Sequence, residues 1–109
     1  MPRRLAVSVG FAQGPDATKE LIKRIQIAEE VGVETVFTAE TWGRDQFSLL
    51  TQIALNTTKI NLGTGIAPVF GRSPGVLAMT AATLDELSGG RVVLGLGTSG
   101  ARVIEHWHG

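Results

Sequence analysis

The sequence predicts an α/β domain built on a parallel sheet, and two observations support that prediction. Short apolar runs without helical periodicity begin near residues 5, 33, 60 and 91. Their spacing of about 30 residues is the length of one strand–helix unit. Amphipathic stretches bounded by helix-starting and helix-ending residues lie between these runs. Strands and helices that alternate in this way favour parallel strands joined by right-handed crossovers.

The first unit begins with the apolar run at residues 5–9, which we interpret as a buried strand. Asp16 is predicted to cap the following helix, because a carboxylate accepts the unpaired N–H groups of a first turn. Apolar residues of that helix recur at intervals of three and four, which gives it one buried face. Gly32 is predicted to end the helix in the left-handed conformation.

The later units follow the same order. Ser73 is expected to cap the third helix, with Pro74 at the first helical position, where a missing N–H has no cost. The predicted elements are a strand at 33–37, a helix buried through Phe47, Leu50, Ile53 and Ala54, a strand from 60 into the glycines at 63 and 65, a helix buried through Leu77, Ala78, Ala81, Leu84 and Leu87, a strand at 91–97, and the start of a helix within 101–109. Residues 1–109 are therefore predicted to form one truncated domain of four strands, three helices and part of a fourth.

Composition narrows the possible partners and location. Ten basic and ten acidic residues give a formal net charge of zero, so nucleic acid and anionic membrane are not expected as partners. The chain has no cysteine, which excludes disulfides and favours a cytoplasmic setting. No apolar run approaches the roughly 20 residues that a membrane-spanning helix needs.

The carboxyl ends of the predicted strands share small residues, hydroxyls and a single acid. In parallel α/β proteins ligands bind beyond these ends. Glycine there allows a flat ring to approach the backbone, which suits a heteroaromatic ligand with polar edges. Close packing between strands is the alternative explanation for the glycines, and the pattern alone leaves it open. The strand ends are Ser8-Val9-Gly10, Thr38-Ala39-Glu40, Thr64-Gly65-Ile66 and Gly97-Thr98-Ser99-Gly100.

Individual residues at these ends allow more than one interpretation. Residues 95–100 match the Gly-x-Gly-x-x-Gly spacing of a dinucleotide fingerprint, but no later strand supplies the ribose-binding acid, which argues against that site. Glu40 is either a base or hydrogen-bond acceptor beside the ring, or an ordinary loop residue that is exposed or forms a salt bridge with Arg44. Trp42 either walls a pocket or covers apolar surface. No metal site is expected, because His106 and His108 point to different sides of a helix.

Three segments resemble the N-terminal half of the luciferase-like monooxygenase superfamily. The strongest likeness is a Leu-Ser-Gly-Gly-Arg run at 87–91 that leads into Leu-Gly-Leu-Gly at 94–97. The segments 62–66 with 72–74, and 103–109, are similar as well. The likeness covers nearly the whole chain and is greatest to the bacterial luciferase-like branch that uses the deazaflavin coenzyme F420.

The resemblance implies a (β/α)8 TIM barrel whose cofactor ring lies at the carboxyl ends of the strands. It implies a flavin- or deazaflavin-dependent oxidoreductase that performs hydride transfer with coenzyme F420, or oxygen activation with FMN as the alternative cofactor. It also implies a non-prolyl cis peptide at Gly65-Ile66, behind the ring. The residues that match ring-lining positions are Thr38, Thr64, Gly65, Ile66, Thr98 and Ser99, and Glu40 is the candidate catalytic residue.

Two positions depart from the pattern of the F420-dependent dehydrogenases. An Asp-His pair is replaced here by Ala39-Glu40, and the acid that follows the fourth strand is replaced by Gly100. Glu40 is the candidate to replace the pair, but the missing acid leaves the proton-transfer group open.

Chain length implies half of such a barrel, since a complete one needs about 250 residues. Four parallel strands covered on one side are expected to expose a lumen face of Val and Leu, so a second copy is the expected partner. Helices distributed over both faces of an open sheet are the alternative arrangement. Together the two copies would close an eight-stranded barrel, with a small-molecule substrate if active. The alternative is a non-catalytic half-barrel module, natural or engineered, that folds by dimerising.

Overall fold

The structure, a computed structural model, describes residues 3–109. Residues 1 and 2 of the predicted domain lie outside the described part. The elements are β1 Ala6–Ser8, α1 Gly14–Glu30, β2 Thr35–Thr38, α2 Gln46–Leu55, β3 Asn61–Thr64, β4 Ala67–Pro68, α3 Pro74–Ser88, β5 Val92–Val93, β6 Leu96–Gly97 and a π-helical segment Arg102–His108. Within the described range, none of the helices has the length and apolar character needed to cross a bilayer.

Four of the strands form one parallel sheet in the order β1-β2-β3-β5. Its register places Val7, Val36, Leu62 and Val92 side by side. The predicted parallel α/β order is therefore confirmed. The fourth predicted strand is divided into β5 and β6. The third ends at Thr64, and the chain then forms a further short strand, β4, which was not predicted and which pairs in parallel with β6 as a separate sheet.

The end of the third strand follows from one hydrogen bond. The Gly65 N–H turns aside to donate to the carbonyl oxygen of Thr38 at 2.5 Å. The chain then forms β4 beside β6, where the Ala67 N–H donates to the Gly95 carbonyl oxygen at 2.7 Å. Because these partners come from other units, the sequence pattern of the apolar run did not reveal the break.

The helix ends show which capping predictions were right. Ser73 caps α3 by accepting the Val76 N–H, and Pro74 occupies the first helical position, as predicted. The prediction for Asp16 was wrong: α1 begins at Gly14, so Asp16 lies inside the first turn, where it still favours the positive end of the helix dipole. Gly32 does adopt a positive φ of 93°, one residue beyond the C-cap.

The three α-helices pack on one face of the sheet, and the core lies between them and that face. Val36 and Leu62 are fully buried there, together with Leu50 and Ile53 of α2 and with Ile25 of α1. One-sided cover of this kind is what a segment of a (β/α)8 barrel requires.

The opposite face does not have the predicted composition. Strand alternation places Ala6, Ser8, Thr35, Phe37, Asn61, Gly63 and Val93 there. Small and polar residues predominate, and the ring of Phe37 lies over Gly63, where an added Cβ would be 2.4 Å from Phe37 Cε1. The expectation of an uncovered Val and Leu face was wrong for β1, β2 and β3, because their Val and Leu side chains belong to the helix-covered face. Val93 of β5 does lie on the uncovered face and is 43% exposed.

Arg91, the arginine of the Leu-Ser-Gly-Gly-Arg run, holds the end of α2. Its guanidinium donates to the carbonyl oxygens of Ala54 at 2.9 Å, Thr57 at 3.1 Å and Ile60 at 2.9 Å. The last carbonyls of a helix have no partner within the helix, so a cation there satisfies them and favours the helix dipole. The most specific motif of the sequence therefore has a structural role here.

Glu29 binds the backbone of the segment that leads into β3. One carboxylate oxygen accepts the backbone N–H groups of Thr58, Lys59 and Ile60 at 2.7–2.9 Å. Burial disfavours the charged form, but these three hydrogen bonds outweigh it and lower the pKa of Glu29 below its ordinary value.

Many polar links between units join residues separated by about one unit of sequence. Arg4 with Glu34 and Gln26 with Asn56 are 30 residues apart, Thr64 with Gly95 is 31 apart, and Glu40 with Arg72 is 32 apart. Each unit is thereby tied to the next one along the chain.

Candidate functional site

The carboxyl ends of the strands meet at one edge, as predicted for a parallel sheet. Thr38 pairs with Thr64 in the register of β2 and β3, and β6 lies beside β4. This edge therefore brings together residues 38–40, 64–66 and 98–99, which the sequence placed far apart.

Two of the predicted ring-lining residues have hydroxyls that bind the chain itself. The Thr38 hydroxyl, on a residue only 1% exposed, donates to the side-chain oxygen of Gln46 at 2.9 Å. The Thr64 hydroxyl donates to the Gly95 carbonyl at 2.7 Å and accepts the Gly95 N–H at 2.8 Å. These threonines fix the positions of the strand ends rather than offering a free hydroxyl at the edge.

Gln46 organises this edge, which the sequence did not predict. It is the first residue of α2 and is completely buried. Besides accepting from Thr38, its amide nitrogen donates to the Ile66 carbonyl at 2.8 Å, and its backbone N–H donates to Glu40 at 2.9 Å. A polar residue at the start of an otherwise apolar stripe was the available signal, but helix starts are commonly polar and the signal is weak.

The other four predicted ring-lining residues remain accessible. Gly65 and Thr98 are exposed, while Ile66 and Ser99 are half-buried. Ser99 has a φ of 60°, which non-glycine residues rarely adopt. Within residues 3–109 the hydroxyls of Thr98 and Ser99 make no hydrogen bond. An accessible set of hydroxyls and backbone groups beside an apolar Ile66 fits the edge of a heteroaromatic ring.

The expected cis peptide at Gly65-Ile66 is not found: all peptide bonds that the structure describes are trans. The strand instead bends at this point through the hydrogen bond from Gly65 to Thr38. The expected irregularity of the strand is therefore found at Gly65, but the peptide bond to Ile66 is trans and the expected cis isomer is wrong.

Two glycines of this edge are explained by the chain's own packing. An added Cβ would lie 2.8 Å from the Thr38 carbonyl at Gly65, 2.4 Å from the Thr64 carbonyl at Gly95 and 2.6 Å from the Ile66 side chain at Gly97. Real Cβ contacts are not this short, and at Gly65 and Gly95 the atom met is a fixed backbone carbonyl oxygen, so glycine is required at these two positions whether or not a ligand binds. At Gly97 the contact is with the end of the flexible Ile66 side chain, which can move aside. Close packing, the alternative left open by the sequence, thus accounts for Gly65 and Gly95.

Glu40 is held in a buried ion pair. Both of its carboxylate oxygens accept hydrogen bonds from the Arg72 guanidinium at 2.8 Å, and the two side chains are only 7% and 15% exposed. Arg72 also contacts Asp45. Hydrogen bonding to Glu40 raises the pKa of Arg72, against the opposing effect of burial.

The partner of Glu40 was predicted wrongly. Arg44 instead donates to the Ala12 carbonyl at 3.0 Å. Arg72 reaches Glu40 because the β4–α3 loop lies beside the β2–α2 loop, a contact across 32 residues that local spacing does not predict. Its guanidinium also lies 4.8 Å from the centroid of the Phe47 ring, which adds a cation–π contact.

Asp45 completes the cluster as the N-cap of α2. Its carboxylate accepts the Ser48 N–H at 3.0 Å and the Ser48 hydroxyl at 2.6 Å. Burial opposes the charged form, yet the bonds from Ser48 and the charge of Arg72 lower the pKa of Asp45. Both carboxylates of the cluster therefore accept hydrogen bonds from Arg72 and from the first turn of α2, and Glu40 has no oxygen free of a protein donor.

Two cavities open beside this cluster. One of about 350 Å³ is lined by Glu40, Thr41, Trp42, Gly43, Arg44, Asp45, Gly71, Arg72, Trp107 and His108. The other, of about 460 Å³, is lined by Trp42, Arg102, His106 and Trp107. Trp42 therefore does wall a cavity, as one of the two interpretations held. Within residues 3–109 no three His, Asp or Glu side chains are grouped as metal ligands would be.

The chain is similar to known proteins along nearly its whole length. The family model for luciferase-like monooxygenases matches residues 4–109. A Mycobacterium tuberculosis protein named as a coenzyme F420-dependent oxidoreductase is 44% identical over 108 residues, 97% of this chain and 30% of the relative. The 5,10-methylenetetrahydromethanopterin reductase of Methanolobus tindarius is 36% identical over 75% of this chain and 26% of the relative.

Solved structures agree in fold. The F420-dependent tetrahydromethanopterin reductase of Methanopyrus kandleri superposes with a TM-score of 0.84 at 26% identity, over 96% of this chain and 30% of its own. The FMN-bound oxygenating constituent of a Pseudomonas putida 3,6-diketocamphane monooxygenase gives a TM-score of 0.87 at 19% identity, over 100% of this chain and 33% of its own. The second match supports the fold alone.

The chain thus spans about 30% of the length of the relatives that it matches. Its parallel strands with helices on one face are half of a (β/α)8 barrel. The match of the family model over nearly all residues shows that the chain belongs to the luciferase-like monooxygenase family.

Proposed function

We propose that this chain contributes the N-terminal half of the ring-binding edge in an oxidoreductase that uses coenzyme F420. The observation that carries the proposal is the 44% identity to a protein named as F420-dependent, over 97% of the chain. FMN is the alternative cofactor, since the chain belongs to the luciferase-like monooxygenase family. When bound, a reduced deazaflavin supplies a hydride, whereas a reduced flavin supplies electrons to oxygen.

The accessible residues Gly65, Ile66, Thr98 and Ser99 would hold the ring. Ile66 offers an apolar side chain to its face, and the hydroxyls of Thr98 and Ser99 suit its polar edge. Thr38 and Thr64 act behind them by fixing the strand ends through their internal hydrogen bonds.

Glu40 as a proton acceptor is the second part of the proposal. Both oxygens of its carboxylate already accept protein hydrogen bonds, from the Arg72 guanidinium and from the Gln46 N–H. Proton transfer at Glu40 therefore requires the Arg72 contact to open on one side. In the closed arrangement Glu40 positions the β2–α2 loop.

A second copy of the chain is the partner that we propose. The strands β1 and β5 each pair on one side only within the described sheet. A groove of about 610 Å³ beside β1 is lined by apolar residues of β1 and α1, among them Val7, Val9, Leu21 and Ile25. Light scattering of the 109-residue chain tests this, and a stable monomer at micromolar concentration would refute it.

The cofactor proposal is tested by titrating the chain with F420 and, separately, with FMN, while the fluorescence of the ring is followed. We expect saturable F420 binding that weakens in a Thr98→Ala, Ser99→Ala double variant. The matched control is Thr83→Ala, an exposed threonine on α3. Saturable binding of FMN alone would replace F420 by the alternative, and binding of neither would leave the non-catalytic module.

A further inference from the structure

The aromatic residues at the mouth of the site form a cavity that the proposed function does not use. Trp42 and Trp107 are 54% and 59% exposed, which is unusual for such large apolar side chains. Together with Arg102 and His106 they line the cavity of about 460 Å³. These four residues are called the tryptophan cleft below.

The backbone places the tryptophan cleft on the same edge as the ring-binding residues. Trp42 lies in the loop that follows β2, and Trp107 lies in the π-helical segment that follows β6. The neighbouring cavity of about 350 Å³ shares both tryptophans and reaches Glu40 and Arg72. The cleft therefore adjoins the loop that follows β2, which carries Glu40 and begins at the strand end where the ring is proposed to lie.

The charge of the cleft is positive. Glu40 and Asp45 in the adjoining cavity are already paired with Arg72. Arg102 is exposed, and among residues 3–109 it forms neither a hydrogen bond nor an ion pair. Glu105 lies on the same segment but does not line the cavity. The cleft thus joins two broad aromatic surfaces to one cation without an acidic partner.

We propose that the tryptophan cleft binds the substrate, and that the substrate is a planar, largely apolar molecule with an anionic group. The indole faces stack on the planar body, and Arg102 pairs with the anion. A volume of about 460 Å³ is within the range of small-molecule sites. The assignment as a substrate site rests on the proposed function, since it requires a ring beside the cleft.

The two residues that form the walls are also the only tryptophans of the sequence. A ¹H–¹⁵N spectrum of the chain therefore contains two indole N–H signals, both from the tryptophan cleft, and Trp42→Phe and Trp107→Phe assign them. We would titrate the chain with 2-naphthoate, with 2-naphthamide as the uncharged analogue, and with cyclohexanecarboxylate as the anion without an aromatic ring.

We expect both indole signals to shift saturably with 2-naphthoate and to respond at least tenfold more weakly to cyclohexanecarboxylate. Arg102→Gln should weaken naphthoate binding about tenfold and leave naphthamide binding unchanged. Arg3→Gln, at the amino end of the sheet, is the matched control and should change neither. Unshifted indole signals, equal affinity for the two anions, or an unaffected Arg102→Gln variant would each overturn the proposal.

A parallel titration with F420 separates this proposal from the function on which it rests. Naphthoate binding without F420 binding supports the cleft and refutes the cofactor. F420 binding without naphthoate binding supports the cofactor and refutes the cleft.

Discussion

Replacing Gln46 by alanine should destabilise the fold more than any other single change at the helix starts. The variant removes the acceptor of the Thr38 hydroxyl and the donor to the Ile66 carbonyl, and Gln46 is completely buried. Leaving a buried polar group without a partner costs about 1–3 kcal/mol, so two groups cost about 2–6 kcal/mol. A domain of this size has only about 5–15 kcal/mol of stability in total.

Urea unfolding followed by circular dichroism measures this loss. Gln52→Ala is the matched control, because Gln52 lies on the same helix with an exposed side chain, and its variant should stay within about 0.5 kcal/mol of the parent. The Thr38→Val variant completes a double-mutant cycle with Gln46→Ala, in which we expect a coupling of about 0.5–3 kcal/mol. Equal stabilities of the Gln46 and Gln52 variants, or a coupling of zero, would refute the role assigned to Gln46.

Three further predictions concern packing, charge and pH. Gly95→Ala should lower the free energy of unfolding in urea by at least about 1–3 kcal/mol, because the added Cβ would lie 2.4 Å from the Thr64 carbonyl oxygen. The control Gly75→Ala, with open space around it, should be neutral or stabilising. Similar effects of the two substitutions would contradict the packing role of Gly95. Glu40→Gln should destabilise by about 1–3 kcal/mol, because it removes the bidentate partner of Arg72 while Asp45 still balances part of the charge, and no measurable loss in thermal unfolding would argue against a structural ion pair. Because the pKa of Glu29 is lowered in the folded state, its contribution is present above the ordinary value of 4.5 and is lost as pH falls below it; Glu29→Gln should therefore flatten the fall in stability below pH 4.5, and an unchanged slope in acid titrations would count against this.

The order of elements could be predicted because each signal is local. Ser73-Pro74 marks a helix start and Gly89 its left-handed end, with φ at 71°, through properties of the residues themselves. The end of the third strand and the break in the fourth could not be predicted in the same way. They depend on Gly65 and Gly95 meeting carbonyls of neighbouring units, which no local window contains.

The site was predictable in position more than in detail. Parallel topology alone placed residues 38–40, 64–66 and 98–99 at one edge. The roles of individual residues depend on contacts between loops, such as Arg72 with Glu40, and on burial, as for Gln46. Hydroxyl residues at strand ends look alike in sequence whether they face a ligand, as Thr98 can, or the chain, as Thr64 does.

The separation of about one unit in the links between units has a consequence for folding and for chain architecture. A protein in which each segment contacts mainly the next behaves as a linear array, whose stability is a sum of nearest-neighbour terms. Each junction needs only the residues of two consecutive units, such as Gln26 with Asn56, so structure can spread from any junction along the chain. Units could then be added to or removed from either end without changing the contacts among the others. Half of a barrel therefore keeps most of its own contacts, whereas half of a fold whose contacts join distant segments does not.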